Sequence, residues 1–258
     1  MHRAGFTATG LPWTYERIEC DGSALPGLVD GAGPEWVGFS VTMPGKAAAA
    51  AFATERSDRV ARLGVANTLV RRVTGWFAEN TDVDGVLQAL RAAGAPMGGP
   101  SLVLGGGGTA AAVLAGLAER GPGGSVLLAG RRAESTSGVV DLARRLGLKV
   151  STVGWAVGEI TAAAADVTLA VSTVPAGAAD PFADALAGVP ALFDVVYHPW
   201  PTRLAAAGAR RRITVTGLDL LLHQGLRQFE LFTGLAAPAE VMRDALRSAA
   251  GTDLPLLL

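Results

Sequence analysis

The 258 residues contain one cysteine, Cys20, two lysines, Lys46 and Lys149, and two asparagines, Asn67 and Asn80. A single cysteine excludes a disulfide framework and a cysteine-based zinc site, and it fits a reducing, cytoplasmic compartment. The formal net charge is −1, so no strong field draws nucleic acid or an anionic membrane. The start, Met1-His2-Arg3-Ala4-Gly5-Phe6, lacks the apolar run of a signal peptide. The three histidines, His2, His198 and His223, have no metal-site spacing and read as surface or packing residues. Charge is also missing between Arg91 and Glu119, a stretch long enough to cross a bilayer. Gly98, Gly99, Pro100 and the run from Gly105 to Gly108 interrupt it, so it reads as loop, buried strand, glycine turn and helix. Where lysine and asparagine are this scarce, each remaining one carries more information.

What is present is apolar. Half the residues are hydrophobic, sufficient for a sizeable core in one large or two modest domains. From Gly98 to Gly217, short apolar runs alternate with helix-length stretches. The runs Ser101–Leu104, Ser125–Ala129, Leu148–Thr152, Val167–Ser172, Ala191–Val196 and Ile213–Thr216 have the length of strands buried on both faces. Ala110–Arg120 and Ala133–Leu146 lie between the first three as crossover helices. This pattern predicts a Rossmann-type doubly wound parallel sheet with six strands. The N-terminal segment differs. Trp13–Glu19 alternates imperfectly, Trp36–Thr42 reads as a strand, and Pro44 opens an alanine-rich helix. Asn67–Arg71 and Val73–Ala78 read as a hairpin. Thr81 is placed to cap a helix from Asp82 to Ala93 that bridges two domains. Two further helices, Leu218–Thr233 and Pro238–Ala249, should pack back on the N-terminal segment. The expected class is thus α/β, a Rossmann domain plus a smaller α/β domain formed by both chain ends.

Leu102–Leu104 leads into Gly105-Gly106-Gly107-Gly108-Thr109-Ala110, matching G-x-G-x-x-G/A between a strand and a helix. The first glycine permits a tight turn, Gly107 lets backbone approach a pyrophosphate, and Ala110 permits close helix–strand packing. The helix N-terminal amides then face phosphate. NAD sites usually carry an acid at the end of the second strand for the ribose hydroxyls. Here Gly130-Arg131-Arg132 stands instead. A guanidinium grips a 2′-phosphate, and the helix dipole opposes paired cations at a helix start, which argues for a bound anion there. The expected cofactor is NADP.

The scarce polar residues fall in four short motifs: Ser40-Val-Thr42-Met-Pro-Gly-Lys46, Ala66-Asn67-Thr68-Leu69, Glu79-Asn80-Thr81-Asp82 and Gly217-Leu-Asp-Leu-Leu-Leu-His-Gln224. Lysine, asparagine, aspartate and glutamine can each hold a hydroxyl directionally, which suits a polyol ligand. Lys46 and Asp82 form an acid/base candidate pair. This ordered set resembles the shikimate dehydrogenases, with their V-T-x-P-x-K, A-V-N-T-L, N-T-D and G-x-x-x-L-x-x-Q motifs. Asp194-Val-Val-Tyr197-His-Pro199 is similar to the family's D-x-x-Y-x-P segment, and Gln228 to Gly234 resembles its C-terminal helix.

The resemblance implies a substrate-binding catalytic domain from residues 1–81 and 218–258 around an NADP-binding Rossmann domain at 82–217. It implies reversible NADPH-dependent reduction of 3-dehydroshikimate to shikimate, in a cytoplasmic enzyme acting alone or as a homodimer. Lys46 would be the proton donor and acceptor, with Asp82 beside it. Thr42, Asn67, Asp82 and Gln224 would hold ring hydroxyls, and Tyr197 would help place the substrate. Gly105, Gly106, Gly107, Gly108, Thr109, Arg131 and Arg132 would bind NADP. Val195 and Gly217 would lie near the nicotinamide and Asp58 at the edge of the cofactor site. No metal is implied. Two other readings stand beside this one: a quinate/shikimate dehydrogenase, and a catalytically impaired NADP-binding protein.

Several positions depart from the family pattern. Ser40 stands where the family often has asparagine, and Val65-Ala66 reverses the usual order. Gly130 and Arg132 replace residues of its N-R-T motif. The family opens with a strand and a Ser-x-Ser-Pro-x-x-His-Asn motif, of which Met1-His2-Arg3 looks like the tail. On the resemblance, roughly twenty residues, including two carboxylate-binding serines, are expected upstream; without them shikimate would bind poorly.

Overall fold

The computed structural model describes residues 1–121, 123–208 and 212–258. They form two compact units. One comprises Met1–Gly85, Leu222–Leu256 and Leu258; the other comprises Val86–Leu221 and Leu257. The division falls inside the helices Asp82–Ala92 and Gly217–Thr233. No helix among the described residues is long and apolar enough to cross a membrane.

The first unit contains a four-stranded sheet of β1 (Gly38–Ser40), β2 (Glu55–Arg56), β3 (Thr68–Arg72) and β4 (Gly75–Glu79). Its order is β1-β3-β4-β2, with β2 parallel to β4 and the other pairs antiparallel. β3 and β4 form the expected hairpin, β3 one residue later than the apolar pattern suggested and β4 starting two residues later, with Val73 exposed at its tip. β1 is shorter than the apolar run Trp36–Thr42. Its pairing still extends at both ends, since Arg71 N–H donates to the Val37 carbonyl and Val41 N–H to that of Asn67. Thr42 then turns the chain by accepting from Gly45 N–H, so the helix begins at Lys46 and not at Pro44. Leu25, Val29, Ala49, Val60, Leu69, Trp76 and Ala78 fill the core of this sheet.

Trp13–Glu19 has no regular secondary structure and joins no sheet. Arg3 Nε fastens it through the Tyr15 carbonyl at 2.8 Å, and Trp13 and Tyr15 pack against the cluster of Phe6, Phe229 and Met242. A cavity of about 630 Å³ runs between this segment and β1. The terminal helices His2–Ala8 and Ala239–Ala250 pack on one another.

The second unit is built on β5 (Ser101–Leu104), β6 (Ser125–Ala129), β7 (Lys149–Val153), β8 (Leu169–Ser172), β9 (Ala191–Asp194) and β10 (Ile213–Thr216). All pairs are parallel, in the order β10-β9-β8-β5-β6-β7. This is the doubly wound order, and it reverses between β5 and β8. β5, β8 and β9 are buried along their whole length, which explains their unbroken apolar sequences. Leu102, Leu104, Ile160, Phe182, Leu186 and Leu192 pack on one face of the sheet.

Candidate active site

Lys46 and Asp82 are each the first residue of a helix, Lys46–Phe52 and Asp82–Ala92. Lys46 Nζ donates to Asp82 Oδ2 at 2.6 Å, with side chains 20% and 15% exposed. The ammonium is therefore held by its carboxylate at a partly desolvated position, where charge attraction is less screened than on an open surface. The other carboxylate oxygen, Oδ1, accepts from Asn67 Nδ2 at 2.9 Å. Asn67 is buried just before β3. Its Oδ1 accepts from Thr81 N–H at 2.8 Å and from the Thr68 hydroxyl at 2.8 Å. Its Nδ2 also lies 3.4 Å from Gln224 Oε1. Four residues from four separate segments, Lys46, Asn67, Asp82 and Gln224, are thus joined by hydrogen bonds.

Thr81 behaves differently from the expected helix cap. Its hydroxyl bonds Asn67 and Gln224, while Asn80 Oδ1 accepts from Asp82 N–H at 3.2 Å. The Asn80 amide also donates to the Val65 carbonyl at 3.1 Å, so this buried asparagine shapes the turn that presents Asp82. Thr42 is exposed beyond β1, on the wall of the cavity. Asp58 is exposed in the first turn of the helix Asp58–Leu63, which Ser57 caps by accepting from Val60 N–H.

Residues not anticipated from sequence complete the buried network. Gln228, one helical turn after Gln224, donates to the Asn67 carbonyl at 3.1 Å and to the Thr68 hydroxyl at 2.9 Å. It accepts from the Ser40 hydroxyl at 2.8 Å. The i, i+4 spacing of two glutamines on a largely apolar helix was the available signal, because such residues share a face.

In the second unit, β5 is followed by Gly105, whose φ of 115° is costly for any residue with a side chain. A Cβ there would also strike the Thr173 hydroxyl. Gly105 thereby turns the chain at the switch point, and the helix Gly108–Arg120 starts directly after it. Positions 107 and 108 open onto free space. A pyrophosphate fits this arrangement of glycine backbone and helix N-terminus. β6 ends at Ala129, and Arg131 and Arg132 are exposed immediately beyond it. These cations fit a phosphate on the adenosine ribose.

The segment after β9 is fastened by Asp194. Its carboxylate accepts from Thr202 Oγ1 at 2.7 Å and from Val196 N–H at 3.3 Å. Burial pushes the Asp194 carboxyl above its ordinary value, and these bonds, with one to Ser172, counter the push. The bonds tie down both ends of the segment that carries Tyr197, which is itself exposed. Gly217 lies against this segment, so that a Cβ would collide with the Val195 carbonyl and sit 3.0 Å from the Tyr197 ring. Val195, Tyr197 and Gly217 are therefore neighbours.

Comparison with known proteins agrees with this architecture. The family model of the shikimate dehydrogenase substrate binding domain matches residues 1–69, and that of the shikimate 5'-dehydrogenase C-terminal domain matches residues 217–247. The NADP(+) shikimate dehydrogenase of Thermus thermophilus is 34% identical, over 97% of this chain and 93% of its own. The crystal structure of Mycobacterium tuberculosis shikimate dehydrogenase superposes with a TM-score of 0.89 at 48% identity, covering 96% of this chain and 92% of that one. A Thermus thermophilus shikimate 5-dehydrogenase solved with NADP(H) and shikimate gives a TM-score of 0.82 at 33% identity, covering 96% and 92%. With full-length relatives at this identity, the chain belongs to the shikimate dehydrogenase family.

Proposed function

We propose that this protein interconverts 3-dehydroshikimate and shikimate with NADP(H), with Lys46 as the proton-transfer group. The observation that carries the reading is the Lys46–Asp82–Asn67 cluster, a charged donor fixed among directional hydroxyl-binding groups. Residues 1–81 and 218–258 take the small-molecule substrate, and residues 82–217 take NADP. Bound NADPH supplies the hydride that reduces the ring carbonyl. Lys46 Nζ gives a proton to the oxygen of that carbonyl and recovers it in the reverse direction. Asp82 keeps the ammonium aimed and accepts from a ring hydroxyl. Asn67, Gln224 and Thr42 hold the other ring hydroxyls, and Tyr197 orients the substrate. Gly105, Gly106, Gly107, Gly108 and Thr109 hold the pyrophosphate, Arg131 and Arg132 hold the 2′-phosphate, and Val195 and Gly217 border the nicotinamide. Asp58 flanks the cofactor. The protein works in the cytoplasm.

The test is NADP⁺ reduction followed with shikimate and with quinate side by side, together with a binding titration of NADP⁺. Turnover of shikimate in preference to quinate is expected. NADP⁺ binding without turnover of either would refute the enzyme assignment, and preferred quinate turnover would change the substrate.

A further inference from the structure

The hydrogen bonds of Gln228 have a forced direction. The Asn67 main-chain carbonyl can only accept, so the group 3.1 Å from it must be the Gln228 amide nitrogen. The second proton of that nitrogen then faces Thr68 Oγ1 at 2.9 Å, which makes the threonine oxygen an acceptor there. The single Thr68 proton is left for Asn67 Oδ1, 2.8 Å away. With its oxygen so engaged, Asn67 turns its Nδ2 to Asp82 Oδ1. On the other side, Gln228 Oε1 takes the only Ser40 proton. The polarity thus runs without a break from Ser40 through Gln228, Thr68 and Asn67 to the carboxylate that holds Lys46.

We infer that Gln228 is a positioning residue for the substrate-binding face of Asn67, acting through the Thr68 hydroxyl. The amide orientation of Asn67 is also supported by Thr81 N–H, so loss of Gln228 loosens this group and does not reverse it. Gln228 is 2% exposed, too deep to serve as a surface contact. The inference rests on the proposed function, because its readout is shikimate affinity.

The experiment is a double-mutant cycle with Gln228→Met, which keeps length without donors, and Thr68→Val, which keeps shape without the hydroxyl. Each single variant should raise KM for shikimate about three- to tenfold, the scale of one neutral hydrogen bond. KM for NADP⁺ should stay at the wild-type value. The double variant should raise KM by less than the product of the two single effects, because the Gln228–Thr68 bond is lost in both. Thr68→Ser, which restores the hydroxyl, should return KM to near wild type. Additive effects, a Thr68→Ser variant as impaired as Thr68→Val, or an unchanged KM in both single variants would overturn the inference. If Gln228→Met does not fold, the Thr68→Val and Thr68→Ser pair decides it alone. A wild type that turns over shikimate with an additive cycle refutes this inference only, whereas a wild type without turnover refutes the proposed function with it.

Discussion

The His2 imidazole makes this fold sensitive to mild acid. It is 6% exposed, stacks on Tyr15 at 4.6 Å between ring centroids, and lies 6.0 Å from the Phe232 ring. Its Nε2 is buried without a hydrogen-bond partner. Burial holds the imidazole down at about 4, against an ordinary 6.5. The folded chain keeps His2 neutral where the unfolded chain protonates it. The resulting stability is complete above 6.5 and is lost as pH falls through about 4. A shift of this size amounts to about 3 kcal/mol, of which about 2 is gone by about pH 5. Total stabilities are about 5–15 kcal/mol, so this is a large share.

His2→Phe keeps the stacked ring and cannot take up the proton. Urea unfolding of both proteins, repeated from neutral pH down to about 4, isolates the effect. The other titrating groups are common to both proteins and largely cancel in the difference. The Phe variant should gain on the wild type steadily as pH falls, by about 3 kcal/mol at the acid end. Parallel loss of stability in the two proteins would refute the assignment of His2 as a buried neutral group.

Lys46→Ala should cut turnover by about 10²- to 10⁴-fold, the usual contribution of a general acid–base group, while NADP⁺ still binds; an unchanged kcat would remove Lys46 from the chemistry. Wild type should bind NADPH more tightly than NADH, and Arg131→Ala should weaken NADPH binding by on the order of tenfold, the lower end for a hydrogen bond to a charged group because this side chain is exposed. Equal affinity of wild type for the two cofactors would contradict a 2′-phosphate site. Gly105→Ala should lower the melting temperature and abolish tight NADP⁺ binding, since a side chain at this positive φ costs about 1–2 kcal/mol even before its collision with Thr173; an unaltered binding curve would show that the turn is not needed in this form.

The parallel sheet was readable because its order is written locally. A strand buried on both faces needs an apolar run, and β5, buried throughout, begins and ends where its run does, as do the less buried β6 and β10. The edge of the smaller sheet was less readable. Trp36–Thr42 reads as a strand and Trp13–Glu19 alternates less cleanly, and only the former contributes a strand, of three residues. Whether an extended segment becomes a strand depends on a neighbour with free backbone groups, and that is a property of the partner as much as of the segment. The start of the helix at Lys46 was misplaced by two residues for a related reason, because the Thr42–Gly45 hydrogen bond closes a turn before the helix can begin.

The polar site poses a different problem, since its residues were identifiable by type and its wiring was not. Scarcity and motif spacing single out Lys46, Asn67 and Asp82. Neither reveals that Thr81 turns its hydroxyl away from its own helix to Asn67, or that Asn80 supplies the acceptor for Asp82 N–H. A hydroxyl near a helix start has a strong local alternative in capping. It is overruled here because Asn67 is buried, and leaving its amide unsatisfied would cost about 1–3 kcal/mol. The same requirement explains why a glutamine stands on the buried face of the helix Gly217–Thr233. An apolar side chain at position 228 would remove a donor from the buried Asn67 carbonyl and from Thr68, and it would free the Thr68 proton to point elsewhere. Directional order at the Lys46–Asp82 pair therefore depends on groups well removed from it in sequence, each chosen by the acceptor it must satisfy.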